Sequence, residues 1–152
     1  MKVEKIEVFG IDVKNLEKAM TFFSEVFNIE FQHFRLGQDI AVQPSAVDAA
    51  DAKQPDLSAT RIAIDKRGFF ELIETKPEPK REGNRNIHFK VSDMDEAKTE
   101  LQRRGVRVVA DHRVGGLREV ILHPDDVFGI RLCLIEYNAP TMIEALMQGR
   151  KS

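Results

Sequence analysis

Residues with chemical potential recur on strand-like segments that the chain nearly repeats. Phe69-Phe70-Glu71-Leu72-Ile73-Glu74 and Arg131-Leu132-Cys133-Leu134-Ile135-Glu136 both alternate with a period of two, and their Leu-Ile-Glu endings match at an offset of 62 (134 − 72). Phe70, Leu72, Leu132 and Leu134 point to one face of their strands, and Phe69, Glu71, Arg131 and Cys133 to the other. A third segment, Asn86-Ile-His-Phe-Lys-Val91, puts Asn86, His88 and Lys90 on a common face. A carboxylate in a partly apolar setting acquires a raised pKa, so Glu71 is a candidate general base, with His88 as its acid–base partner. Arg131 and Lys90 suit an anionic ligand, or else solvated charge at a rim. Cys133 as a nucleophile would need an activating base, and reads more simply as a small buried side chain.

The elements that must position these groups come in two rounds. Ile6–Val13 is rich in β-branched residues and reads as a strand, with Phe9, Ile11 and Val13 on the packed face and Val8, Gly10 and Asp12 on the other. Asn15 caps a helix whose stripe is Leu16, Ala19, Met20, Phe23 and Phe27, and Asn28 ends it. Strands follow over 29–34, 59–65 and 68–74, with a short one expected over 38–42 and an aperiodic loop over 43–58. The polar stretch 75–85 is the best linker. The plan then restarts. Strand 86–91 leads to a helix opened by Asp93 and Glu96 and closed by Gly105, then strands over 106–110, 118–123 and 130–136. Val13-Lys-Asn-Leu-Glu-Lys-Ala19 matches Val91-Ser-Asp-Met-Asp-Glu-Ala97 at an offset of 78 (91 − 13), which marks a duplicated unit. In the tail, Thr141 and Glu144 open a short helix with Ile143, Leu146 and Met147 on one side; that face requires this chain's sheet or a second subunit.

Composition narrows the function classes. The chain has 152 residues, 42% apolar and 32% charged, with a net charge of −2 and both signs interspersed, so no global field points to nucleic acid. With no Trp and one Tyr there is no base-stacking platform. The single cysteine fits a reducing cytoplasm, and no apolar run reaches the roughly 20 residues needed to span a bilayer. The partner expected is a small molecule, with no nucleic acid and no membrane.

The two strand-to-helix entries, Gly10-Ile-Asp-Val-Lys-Asn-Leu-Glu-Lys-Ala19 and His88-Phe-Lys-Val-Ser-Asp-Met-Asp-Glu-Ala97, closely resemble the vicinal oxygen chelate superfamily of glyoxalases, epimerases, extradiol dioxygenases and bleomycin-resistance proteins. The second half, ending His123-Pro-Asp-Asp-Val-Phe-Gly-Ile-Arg-Leu-Cys-Leu-Ile-Glu136, is most similar to the methylmalonyl-CoA epimerase and glyoxalase I branch. The resemblance spans residues from about 4 to 137. It implies an α+β fold in which two tandem βαβββ modules form a curved mixed sheet, a cup with helices outside, plus a short C-terminal helix. The whole chain, 1–152, is then a single domain with modules over 4–75 and 85–137, linker 75–85 and tail 138–152. It also implies a homodimer.

Family enzymes hold a divalent metal on four cup-facing positions, which here are Val8, Glu71, Asn86 and Cys133. Glu71 alone is retained from the family's His, Glu or Gln, His and Glu. Valine cannot ligate, an asparagine offers a neutral oxygen, and a thiolate is soft for such a site. No cofactor is therefore expected, an atypical metal on Glu71, His88 and one further group being the exception. Alternation places Glu71 and His88 in the cup as the catalytic pair. Asn86, Lys90, Arg131, Phe69, Cys133 and Asp12 stand beside them as binding residues, with Gly10 on the same face. His33 and His112 read as surface residues of strands or loops, and His123 as part of a turn.

Three functions compete. The first is epimerase- or lyase-type proton transfer on a small anionic or carbonyl compound, without the usual metal. The second is non-catalytic binding of a drug or metabolite, which calls for an aromatic-lined groove. The third is a scaffold whose cup is filled by side chains.

Overall fold

The structure, a computed structural model, describes residues 1–44, 57–148 and 150. Capping residues set its two long helices. Asn15 is extended (φ −134°) and its side chain accepts from the Lys18 amide at 2.9 Å, which starts α1, Leu16–Phe27. Asn28 closes that helix in the left-handed region at φ 54°. Asp93 accepts from the Glu96 amide at 2.9 Å and starts α2, Met94–Arg103.

Strands β1 (Val3–Asp12), β2 (Phe31–Arg35), β3 (Val42–Pro44), β4 (Arg61–Asp65), β5 (Phe70–Glu74), β6 (Gly83–Val91), β7 (Val108–Val114), β8 (Leu117–Leu122) and β9 (Leu132–Glu136) form one mixed sheet. Among the described residues its order is β2-β4-β5-β1-β6-β9-β8-β7-β3. The two repeat units meet within one chain along antiparallel β1 and β6, where Gly10 faces Asn86 and Val8 faces His88. The edge strands β2 and β3 follow each other in the chain, with only residues 36–41 between them. Seven Cα steps reach at most about 25 Å, whereas nine flat strands would separate the edges by about 38 Å. The sheet must therefore curl, and it does so as a half-barrel.

Its two faces carry different cores. Val13, Leu16, Ala63 and Leu72 pack with Phe23 and Phe70 beneath α1, and Met94, Ala97, Leu101, Val120 and Leu134 pack beneath α2. The concave face holds Val8, Ile62, Ile73, Val114 and Ile135. On it lies α3, Met142–Met147, started by Thr141.

Four expectations change. The tail helix buries Met142, Ala145 and Leu146 against this chain's own sheet, while Met147 is 38% exposed. Its packed stripe is thus shifted from Ile143, Leu146 and Met147, and its apolar face no longer argues for a second subunit. The strand expected to end at Ala110 continues to Val114, because the two-residue Gly115-Gly116 turn lets β7 pair with β8 through Val114 and Leu117. The linker loses its last residues to β6, whose Gly83 pairs with Asp12. Of the loop expected over 43–58, Val42–Pro44 is strand and Leu57–Ala59 a 3-10 turn; residues 45–56 lie outside the described residues.

Close approach of the Gly115-Gly116 turn to α3 holds this arrangement together. The Gly116 amide donates to the Ala145 carbonyl at 2.9 Å, and a Cβ on Gly115 (φ +59°) would stand 2.4 Å from the Leu146 carbonyl oxygen. Gly115→Ala should therefore cost about 1–3 kcal/mol by urea denaturation, since it combines a left-handed backbone with a backbone clash. Gly105→Ala, at φ +72° with nothing within 4 Å, should cost only the backbone term of about 1–2 kcal/mol.

Candidate active site

Polar side chains from strands β5, β6, β8 and β7, and from the residue that leads into β9, meet on the concave face. Sheet order β5-β1-β6-β9-β8-β7 sets Glu71 on β5, Asn86 and His88 on β6, Arg131 just ahead of β9, Glu119 on β8 and His112 on β7. All six line one cavity, together with Arg85. It offers about 80 Å³ to the centres of water-sized atoms, room for roughly five waters or a comparably small ligand. Apart from Thr60, the rest of its wall is apolar and includes Ile62, Ile73, Val114, Ile135, Met142 and Leu146, and no Phe, Tyr or Trp lines it among the described residues.

The centre of the site is a carboxylate between two imidazoles. Glu119 receives His88 Nε2 on Oε2 and His112 Nε2 on Oε1, each at 2.8 Å. The second contact is built into the hairpin register, which sets His112 opposite Glu119. The first spans β9, and the inward curl brings these groups together. His88 Nε2 also stands 3.8 Å from Glu71 Oε1. Burial alone would raise Glu119, but the hydrogen bonds from His112 and His88 hold it well below the usual carboxylate range. Burial opposes a charged His88, yet its contacts with Cys133 and Glu119 carry it well above the ordinary histidine value. Glu71 has no such donor, and burial pushes its carboxyl up against the pull of His88. These contacts favour the ionised form of Glu119 and the protonated form of His88, and disfavour ionisation of Glu71.

Around this centre the expected residues divide. Asn86 donates to Cys133 Sγ at 3.7 Å, and its Oδ1 is buried without a partner, as is His88 Nδ1. Gly10 makes room for that amide: a Cβ there would stand 2.0 Å from Asn86 Oδ1. Cys133 is fully buried beneath the cavity among Ala110 and Ile121, with its thiol pushed up by burial. Asp12 binds Arg85 Nη1 at 2.8 Å. Arg131 lines the cavity, its guanidinium has no hydrogen-bond or ion-pair partner among the described residues, and burial followed by the nearby Arg85 lowers its pKa. Phe69 is 61% exposed beneath the Arg67 guanidinium, outside the cavity. Lys90 shares the face of His88, but its ammonium pairs with Glu4 at 2.9 Å and covers the Tyr137 ring.

Two site residues escape the sequence reading. His112, expected at the surface, is 4% exposed and faces inward, because β7 runs past Ala110. Glu119 sits in a strand with apolar residues on both faces, which hides its alternation. The signal for both was Gly115-Gly116. A two-residue hairpin there pairs Val114 with Leu117, and counting outward pairs His112 with Glu119.

The family's four metal positions do not fit a metal here. Val8 is 1% exposed in the apolar core, the Asn86 oxygen lies over Gly10, and the Cys133 thiol holds its proton. A different trio, His88, Glu119 and Cys133, brings three donor atoms within 4.8 Å of one another and is capable of holding an ion. Its histidine and carboxylate are already joined to each other, and the carboxylate's second oxygen is joined to His112.

Known structures share this architecture. Methylmalonyl-CoA epimerase from Streptomyces coelicolor, in complex with 2-nitronate-propionyl-CoA, is 20% identical and superposes with a TM-score of 0.63 over 91% of this chain and 100% of that one. The Mycobacterium tuberculosis epimerase is 18% identical, with a TM-score of 0.67 over 90% of each chain. A hypothetical protein from Bacillus halodurans is 17% identical, with a TM-score of 0.65 over 90% of this chain and 96% of that one. At such identities the likeness carries the fold alone. No curated protein matches the chain significantly. No helix among the described residues is long and apolar enough to cross a membrane. The family model of the Glyoxalase/Bleomycin resistance protein/Dioxygenase superfamily matches residues 5–134, and the chain belongs to that superfamily.

Proposed function

We propose that the cup moves a proton on the carbon next to a carbonyl in a small anionic substrate, without a metal. The observation that carries this reading is a buried carboxyl, Glu71, 3.8 Å from His88, which Glu119 holds at 2.8 Å, on a cavity that also presents the Arg131 guanidinium. Arg131 anchors the anionic group. Glu71 removes the proton, and the C–H electrons move into the carbonyl oxygen. The enolate charge is stabilised by His88 and Arg131 in a water-poor site. Protonated Glu71 returns a proton to the same carbon, so the step needs no co-reactant and is seen as hydrogen exchange; epimerisation follows when the planar enolate takes the proton on its other face. The epimerase complexes hold acyl-CoA ligands; an acyl chain of this kind is one carrier of such a substrate.

A cavity of this size speaks against a filled scaffold, and the lack of aromatic lining against a binder of planar drugs. Non-catalytic binding of a small acid is the second reading, favoured by the raised Glu71 pKa, because a neutral Glu71 donates a hydrogen bond rather than taking a proton.

Exchange of the C3 proton of 3-methyl-2-oxobutanoate in D₂O, followed by NMR, separates the two. Glu71→Gln should lower the exchange rate by about 10²–10⁴-fold and leave the dissociation constant within a few-fold. Wild-type protein that binds but does not exchange would leave only the binding reading. Arg131→Ala should weaken binding about tenfold or more, the value of a lost charge-assisted contact.

The pH dependence has a defined sign. Glu71 becomes a competent base only as pH rises through its raised pKa, and His88 keeps its charge until pH passes its own raised value. The rate should therefore rise with pH at a point above the ordinary carboxylate value of 4.5 and fall again only above the ordinary histidine value of 6.5. Glu119→Gln, which removes the partner that holds His88 charged, should move the alkaline fall to lower pH.

Stability gives an independent check. A folded carboxyl raised above its unfolded value of 4.5 contributes stability that is lost as pH climbs through the folded value. Glu71→Gln should remove that loss and melt about 2–4 °C above wild type at pH 8 for each ~1 kcal/mol recovered, with a smaller gain at pH 4.5.

A further inference from the structure

The cavity has a polar floor on the sheet and a roof that comes from the last helix. Met142 and Leu146 of α3 line it directly and face Ile62, Ile73, Val114 and Ile135 across it. The helix has little freedom to withdraw. Gly116 N donates to the Ala145 carbonyl at 2.9 Å, Gly115 N donates to the Ala41 carbonyl at 2.9 Å, and Ile40 bridges to Arg150. At the start of the tail, the Tyr137 hydroxyl donates to the buried Glu7 at 2.7 Å.

We infer that Met142 and Leu146 are specificity-determining residues, and that they fit the cup to a short, branched aliphatic chain bearing a carboxylate. This inference rests on the proposal that the cup is the substrate site, but it concerns what is bound rather than what happens to it. The carboxylate is placed by Arg131, whose guanidinium lacks a partner among the described residues and can accept it in a two-pronged pair. The chain lies against aliphatic side chains that fill space without stacking, so a planar ring gains no π-contact there. The roof sets the length. About 80 Å³ for atom centres accommodates a four- or five-carbon acid, and a longer chain must displace Met142 or Leu146. Branching suits the cavity better than extension, because opposed walls of Ile, Val and Leu fill it from both sides.

The test is binding, measured by ligand-observed NMR and calorimetry on the full chain, with acetate, 2-methylpropanoate, 3-methyl-2-oxobutanoate, octanoate and benzoate. Wild type should bind the two branched acids at least about tenfold more tightly than the other three, the scale of discrimination that a hydrophobic pocket reaches for a few carbon atoms. Leu146→Ala should narrow or reverse the preference over octanoate by about tenfold or more. Leu146→Val and Met142→Ala, whose folding is followed by thermal melting, carry the same comparison if the first variant does not fold. Arg131→Ala should weaken every acid alike and leave the chain-length ratio unchanged. The inference is overturned if wild type binds octanoate or benzoate as well as the branched acids, if none of the acids binds, or if folded roof variants keep the wild-type ratio. Selective binding without proton exchange would sink the catalytic reading and leave this one intact.

Discussion

Glu119 is a carboxylate whose two oxygens are each claimed by an imidazole nitrogen, and much of the concave face is arranged around that demand. Its side chain is 16% exposed, and a largely buried charge is tolerable only when it is paired and hydrogen-bonded. One partner, His112, comes from the neighbouring strand by hairpin register, and the other, His88, from across β9. Losing either would leave a poorly solvated oxygen without a donor, at about 1–3 kcal/mol. The same pairing favours the protonated form of His88 and holds its ring 3.8 Å from Glu71. Structural need and chemical capacity share one set of contacts.

That convergence requires curvature, which comes from a short piece of chain. In a flat sheet the side chain of Glu119 would lie two strands from His88, a distance a glutamate spans only with the face bent inward. Residues 36–41 join β2 to β3 at opposite edges and leave the sheet no flat solution. Once the sheet is curled, its concave face encloses more apolar surface than its own side chains fill. The tail helix occupies that space with Met142, Ala145 and Leu146. Gly115 and Gly116 are the condition for its seating, since side chains there would collide with its backbone.

Local signals made most of the elements legible. Asn15, Asn28 and Asp93 each perform the capping role that their side chains suggest, and the strict alternation around Glu71 and Cys133 gives the right packed faces. The duplicated strand-to-helix entries make the two-unit architecture readable, and the family match agrees with it. What escaped was non-local. No periodicity tells β3 that its partner is β7 in the other unit. Phe69 and Lys90 hold cup-facing register, yet Arg67 and Tyr137 draw their side chains elsewhere. His112 and Glu119 were readable in principle, because a Gly-Gly hairpin fixes a register. A polar Asp-His-Arg run nevertheless looks like loop until that turn is taken as the end of a strand.

The departure from the family's metal positions is more than loss. Where the pattern calls for a donor on β1, Val8 completes an apolar core; where it calls for one on β6, Asn86 turns to Cys133 over the space Gly10 leaves. The histidine of β6 stands one inward-facing position along from residue 86, at His88, and its carboxylate partner comes from β8. A proton on an imidazole and a divalent cation can both stabilise an enolate oxygen, but they demand different surroundings. A cation requires deprotonated ligands free to converge on it, whereas an imidazolium requires a carboxylate held at hydrogen-bond distance. Here the carboxylate at 2.8 Å from His88 is itself clamped by His112, and the nearby thiol keeps its proton. That is the environment an imidazolium needs rather than the one a divalent cation needs.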